Sequence, residues 1–189
     1  MATHEATLTS YKQKLANNRL GLWLFILSDS FVFAALLVTR FYLLGDKRPH
    51  LEQELGLIVT SVLLISSFFA NRAEVQISKG NRKGFLTSIL ITMLLGIGFL
   101  VGVVGFEWRR APCGPADGPE GAVFFMMTGM HAFHVLTGVI FLFIVYRNGL
   151  KGHYSPEKHW AVEAAANYWH FVDVVWIFFY PALYLIGTI

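Results

Sequence analysis

The chain has 189 residues, of which 55% are hydrophobic and only 14% charged, with a formal net charge of +3. A soluble domain of this length carries more charge and fewer apolar residues, which excludes a water-soluble globular enzyme. The Lys and Arg residues are scattered over short loops and make no dense basic patch, which excludes a nucleic-acid partner.

What remains is an all-α integral membrane protein, a single domain over residues 1–189 without internal repeat, linker or low-complexity run. A helical span needs about 20 mostly apolar residues. Five stretches are read as spans, roughly 20–44, 55–70, 85–106, 121–146 and 161–188. The leader MATHEATLTSYKQKLANNRL is polar, and the apolar run behind it exceeds a signal-peptide core of about 7–15 residues, so no cleavage is expected.

The first span carries Asp29 in LFILSDSFVFAALL, roughly 14 Å inside the bilayer if the helix enters near Leu20. No basic residue stands near it in sequence. It is expected to be hydrogen-bonded to a neighbour or a lipid headgroup, and is read either as a neutral packing residue or as a carboxyl that exchanges protons. The second span is short and holds Thr60, Ser61, Ser66 and Ser67, whose hydroxyls can bond back to helix carbonyls; a buried core helix is its alternative reading. The loop NRAEVQISKGNRKG then places Arg72, Lys79, Arg82 and Lys83 where they can meet anionic headgroups or simply set topology. The third span contains Gly98-x-x-x-Gly102, with Gly105 one turn on, a spacing that lets another helix approach closely.

A Pro- and Gly-rich loop, RRAPCGPADGPEG, separates the third and fourth spans. Its Cys113 is the only cysteine and cannot form an internal disulfide. In the fourth span, His131 and His134 lie three residues apart near mid-depth. Before the fifth span, Ser155 is expected as helix cap, with Pro156 at the first position and Glu157 favourable to the dipole. That last helix places Glu163, Asn167 and His170 on one face with Asp173 beside them. Pro181 should bend its far end.

Orientation follows from the cations. Lys12, Lys14, Arg19, Arg72, Lys79, Arg82, Lys83, Arg147, Lys151 and Lys158 fall on one side, Arg40, Lys47, Arg48, Arg109 and Arg110 on the other. That bias puts the N-terminus in the cytoplasm and the C-terminus outside. Trp23, Trp108 and Trp160 fall near the expected interfaces, while Trp169 and Trp176 lie deeper, one above the other.

Ionisable groups at mid-membrane are costly and normally face the bundle interior. Two readings of His131, His134, Glu163, His170 and Asp173 compete. In one they brace the helices as a polar network. In the other they hold a metal or haem, or relay protons, since opposed histidines can supply axial ligands.

Taken together, these stretches resemble subunit III of the haem-copper cytochrome c oxidase family in its short, five-helix bacterial form. The most specific is HWAVEAAANYWHFVDVVWIFFYPALYLIG, similar to the family's final helix, followed by TGMHAFHVLTG, similar to its Thr-Gly-x-His-Gly-x-His-Val motif. Ala132 stands where a glycine is usual and Asn167 where a tryptophan is usual. Ser28-Asp29 replaces the usual Ser-Glu pair, which draws the acid back by about one methylene.

The resemblance implies an accessory subunit with no redox centre, whose membrane polar residues are structural and whose haem and copper belong to partner subunits. It further implies docking on subunit I beside subunit II, bound phospholipid, support of proton uptake and sustained turnover, and a bacterial plasma membrane. A subunit of a quinol oxidase, or an accessory protein of nitric oxide reductase, is the nearer alternative, and a stand-alone haem or metal protein the remoter one. A transporter is disfavoured, because no inverted repeat or paired interrupted helix is visible.

Overall fold

A computed structural model of the chain describes the backbone of residues 2–188 and the side chains of residues 13–188. Lys12, one of the cations used for orientation, lies outside the described side chains. Five long helices form the molecule: α1 (Ala2–Leu44), α2 (Gln53–Ser78), α3 (Arg82–Leu100), α4 (Pro119–Leu150) and α5 (Trp160–Tyr180). Two π-helical segments extend them: π1 (Val101–Glu107) follows α3, and π2 (Pro181–Leu185) follows α5.

The helices outrun the apolar stretches that announced them. Hydropathy marks where lipid begins, whereas a helix continues through any helix-competent residue, so α2 runs past Ala70 through Arg72 and Glu74 to Ser78. It stops at a tight reversal in which Gly80 takes φ +75°, its N–H bonding Ile77 O while the Asn81 N–H bonds Gln76 O. Only glycine adopts that conformation cheaply, which makes Gly80 the stop signal. Asn81 then caps α3, its side chain accepting from the Gly84 N–H at 3.0 Å.

The start of α5 differs from expectation. Ser155 is not its cap, because the Ser155 hydroxyl and carbonyl both accept from the Lys158 N–H in a turn of their own, and the helix begins only at Trp160. At its far end Pro181 converts the helix to π2, with the Ile186 N–H bonding Pro181 O.

Helix α5 is the hub, packed against α1, α2 and α4, while α2 and α3 form a hairpin on one side and α1 leans on α4 and α5 at the edge. Trp169 and Trp176 of α5 are fully buried, and their indole N–H groups donate to Ser66 Oγ and Thr60 Oγ1 of α2, both at 2.9 Å. Those hydroxyls bond back to Leu63 O and Gly56 O, so one hydroxyl serves its own helix and its neighbour. The Trp169 ring is admitted by two glycines: a Cβ on Gly138 would stand 2.9 Å from it, and one on Gly96 would collide with it. Both glycines of the Gly98/Gly102 pair face α2, and Gly102 approaches it more closely, at Val59.

Outward, the bundle is greasy, with Trp23, Leu24, Leu27, Phe31 and Val38 of α1 all exposed. Water would not tolerate that surface, and a membrane requires it. Among the described residues, four helices are long and apolar enough to cross a membrane on their own: Gln13–Leu44, Gln53–Ser78, Arg82–Arg110 and Pro119–Leu150. The fifth, α5, is not among them, since Glu163, Asn167, His170 and Asp173 dilute its apolar character. It nevertheless runs parallel to α1 and is tied to it at both ends, Glu163 to Arg19 and the Ala182 carbonyl to Arg40. The stretch between those ties is roughly 30 Å of helix on either strand of the pair, one bilayer core in length.

Candidate functional site

The ionisable residues inside the bundle do not converge on a single site: Glu163, His134 and His170 each reach a different partner on another helix. Glu163 and Arg19 make a two-pronged pair, Nε to Oε1 and Nη2 to Oε2, both at 3.0 Å, and the guanidinium lies 5.9 Å over the Trp160 ring. Both side chains are partly exposed, so this pair fixes the geometry of α1 against α5 more than it adds stability.

Asp29 meets His134, with Oδ2 3.2 Å from Nε2. His134 Nδ1 lies 2.8 Å from the Met130 carbonyl, which can only accept, so Nδ1 carries a proton. One proton then sits between Nε2 and Oδ2, on either atom. With the proton on Oδ2 both groups are neutral, and with it on Nε2 the two charges cancel. Either way α1 and α4 share a polar contact of zero net charge, which suits a low-dielectric setting. The pair borders a groove of about 450 Å³ lined by Leu22, Phe25, Phe133, Phe141 and Tyr168. Tyr168 closes the far side, its hydroxyl 2.8 Å from Thr137 Oγ1.

His170 turns the other way, its Nδ1 2.6 Å from Ser67 Oγ on α2. His131 is fully buried, tilted 32° over Trp176 at 4.7 Å and edge-on to Phe99 at 5.4 Å. Neither of its ring nitrogens, nor either oxygen of the buried Asp173, has a hydrogen-bond partner among the described residues. Glu163, His134 and His170 therefore tie α5 to α1, α4 to α1 and α5 to α2 respectively. Among the described residues, no three His, Cys, Asp or Glu side chains are grouped to hold a metal ion.

At the Arg19 end, Arg72, Lys79, Arg82 and Lys83 are exposed. Arg82 is already engaged, donating Nε to Gly149 O at 3.0 Å and Nη2 to Leu150 O, which caps the C-terminus of α4 with a cation. Arg72, Lys79 and Lys83 extend the same basic face.

Sequence reasoning missed Arg40, read there only as a topology charge. Its guanidinium is fully buried and donates to four carbonyls: Nε to Ala182 at 2.7 Å, Nη1 to Gly45 at 2.9 Å, and Nη2 to Ile186 at 2.6 Å and Lys47 at 3.1 Å. The available signal was position: a cation one turn before a helix end faces the unpaired carbonyls there.

Cys113, in the loop before α4, is half-buried and unbridged. Burial first, then the carboxylates of Glu120 and Asp117, push its thiol above the ordinary cysteine range. Because the thiolate is the reactive form, maleimide should label Cys113 more slowly than free cysteine at neutral pH, with a rate that keeps climbing at a pH where free cysteine has levelled off. Labelling as fast as free cysteine would contradict this.

The fold and its cross-ties define a helical membrane bundle in which a weakly apolar final helix is held by polar partners on its neighbours. Residues 2–188 match the family model described as cytochrome c oxidase subunit III. The chain is 37% identical over 183 residues to cytochrome c oxidase subunit 3 of Halichoerus grypus, covering 90% of this chain and 70% of that protein. It is 36% identical over 200 residues to that of Papio hamadryas, covering 99% of this chain and 76% of the relative. The chain belongs to the cytochrome c oxidase subunit III family, as the motifs of its fourth and fifth helices had indicated.

Proposed function

We propose that the chain is the non-redox accessory subunit of a proton-pumping haem-copper terminal oxidase. In this reading it braces subunit I beside subunit II, holds phospholipid against α1, and supports proton uptake and sustained turnover, while haem and copper reside on the partners. Family membership makes it a membrane component of an oxidase complex. The bacterial plasma membrane and a cytoplasmic N-terminus belong to the proposal, the latter resting on the cation bias.

The observation that carries the lipid role is the way α1 stands off from its neighbours. Two further apolar grooves flank it: one of about 490 Å³ against α4, bordered by Leu36, Val123 and Met126, and one of about 310 Å³ against α5, bordered by Phe33, Phe171 and Phe178. Such apolar grooves suit acyl chains in chemistry, and the Asp29–His134 pair beside them presents polarity without net charge.

Gentle solubilisation followed by isolation of the chain tests the assignment. The expected result is a complex containing a many-helix partner with haem absorbance, together with phospholipid. Haem absorbance that stays with the isolated chain, or a chain that purifies alone from intact membranes, would overturn it. The Asp29 carboxyl should be labelled slowly by a hydrophobic carbodiimide, and Asp29→Asn should abolish that labelling while slowing proton uptake. Unlabelled wild-type protein together with full activity in Asp29→Asn would remove any proton role for this group.

A further inference from the structure

One buried carboxyl at a helix end has no part in the bracing described so far. Glu107 is the last residue of π1 and is 3% exposed. Its Oε1 accepts a hydrogen bond from the Tyr184 hydroxyl of π2, which joins the two π-helical segments. Wide π turns interrupt a helix at a local cost and recur where a side chain must be aimed. Tyr184 is held firmly: its ring lies on Gly56, where a Cβ would stand 2.7 Å from Cε1, and stacks on Tyr180 at 5.1 Å. Arg48 and Gln53 both donate to its carbonyl, at 2.8 and 3.1 Å.

The other oxygen, Oε2, is buried and has no partner among the described residues. Glu107 borders a cavity of about 20 Å³ also lined by His50, Leu51, Glu52, Leu55 and Arg110. That is room for about one water. Above it Arg110 Nη1 and Glu52 Oε2 pair at 3.2 Å, with both side chains more than half exposed. The charged and titratable groups around Glu107 are thus Tyr184 on π2, Tyr180 on α5, His50, Glu52 and Arg48 on the α1–α2 connection, and Arg110 just beyond π1.

The geometry points to a proton-binding site: Glu107 holds one water in this cavity and exchanges its proton through that water with the aqueous phase at the Arg40 end, beneath a cap formed by Glu52 and Arg110. In the exchange the Oε2–H bond breaks as a new O–H bond forms on the water, leaving a carboxylate and a hydronium ion. The hydronium passes its extra proton to Glu52 or to bulk water. Reprotonation runs the same path backwards. Tyr184 keeps donating to Oε1 throughout and stabilises the carboxylate form.

Infrared spectra of the chain in its native complex, titrated from mildly acidic to mildly basic pH in H2O and D2O, test this. The expected signature is a protonated-carboxyl C=O band that disappears reversibly as pH rises, moves to lower frequency promptly in D2O, and is missing in Glu107→Gln. Tyr184→Phe, which keeps the carboxyl but removes its donor, should move that band to higher frequency. Arg110→Gln, which opens the cap, should speed its deuterium exchange. Identical wild-type and Glu107→Gln spectra at every pH would overturn the site, as would a Glu107 band that ignores D2O for hours. Should Glu107→Gln fail to assemble, the absence of any carboxyl band that responds to Tyr184→Phe overturns it instead. The band belongs to Glu107 in whatever complex carries the chain, so its loss is separable from failure of the oxidase assignment.

Discussion

Arg40→Ala is expected to be the most damaging single substitution in the chain. The guanidinium donates to the carbonyls of Gly45 and Lys47, just after α1, and to those of Ala182 and Ile186, within and just after π2. Hydrogen bonds from a charged donor contribute about 1.5–3 kcal/mol each, and leaving a buried acceptor unpaired costs its desolvation as well. Some of these carbonyls are reachable by water once the side chain is gone, so the bonds do not simply add. A net loss of about 4 kcal/mol is expected, a large part of the stability of a typical domain. The measurement is the amount of chain retained in the complex and the temperature at which it dissociates. Arg40→Lys should recover only part of the loss, because an ammonium cannot reach four acceptors in a planar fork. Wild-type retention in Arg40→Ala would refute the clamp.

The second large effect is expected at the Trp169 socket. Inside a membrane the apolar side chain gains little by leaving lipid, so the cost of Trp169→Ala lies mainly in lost van der Waals packing and the void left among α2, α3, α4 and α5. About 3 kcal/mol is expected, and the Ser66 hydroxyl loses its indole donor. The reverse experiment is more discriminating. Gly138→Val adds atoms where even a Cβ would stand 2.9 Å from the indole and 3.3 Å from Tyr168, so overpacking of about 1–3 kcal/mol is expected. Thermal dissociation of the complex should fall in both variants. Combining Gly138→Val with Trp169→Leu should restore part of the loss, since replacing the indole with the smaller leucine vacates space for the added methyls; no restoration would mean that the two positions do not share a socket.

Most of the architecture was legible from local chemistry. The apolar runs located the helices, and the hydroxyls of Thr60, Ser61 and Ser66 in α2 do bond back to their own helix, while that of Ser67 turns to His170. The depth of Trp169 and Trp176 was readable from their place in an apolar helix. What sequence could not supply was the identity of partners across helices. Glu163, Asn167 and His170 share a face by spacing, yet Glu163 finds Arg19 and His170 finds Ser67, because a face two turns long borders more than one neighbour. Asp29 had no base near it in sequence, and its partner lies 105 positions away. Arg40 was misleading for a related reason: the bias that sorts cations by side is blind to whether a guanidinium ends in water or in a ring of carbonyls. π1 escaped because nothing in VGVVGFE distinguishes a wide turn from an ordinary one, whereas Pro181 marked the place of π2 without revealing its form.

The latches between α1 and α5 also bear on biogenesis. A newly made first helix enters the bilayer carrying a guanidinium whose acceptors on π2 are not yet synthesised, and a last helix too polar to insert comfortably by itself arrives later to meet it. A chain truncated before Ala182 should therefore leave Arg40 with only the Gly45 and Lys47 carbonyls as acceptors, and the docking of α1 against its neighbours should weaken accordingly.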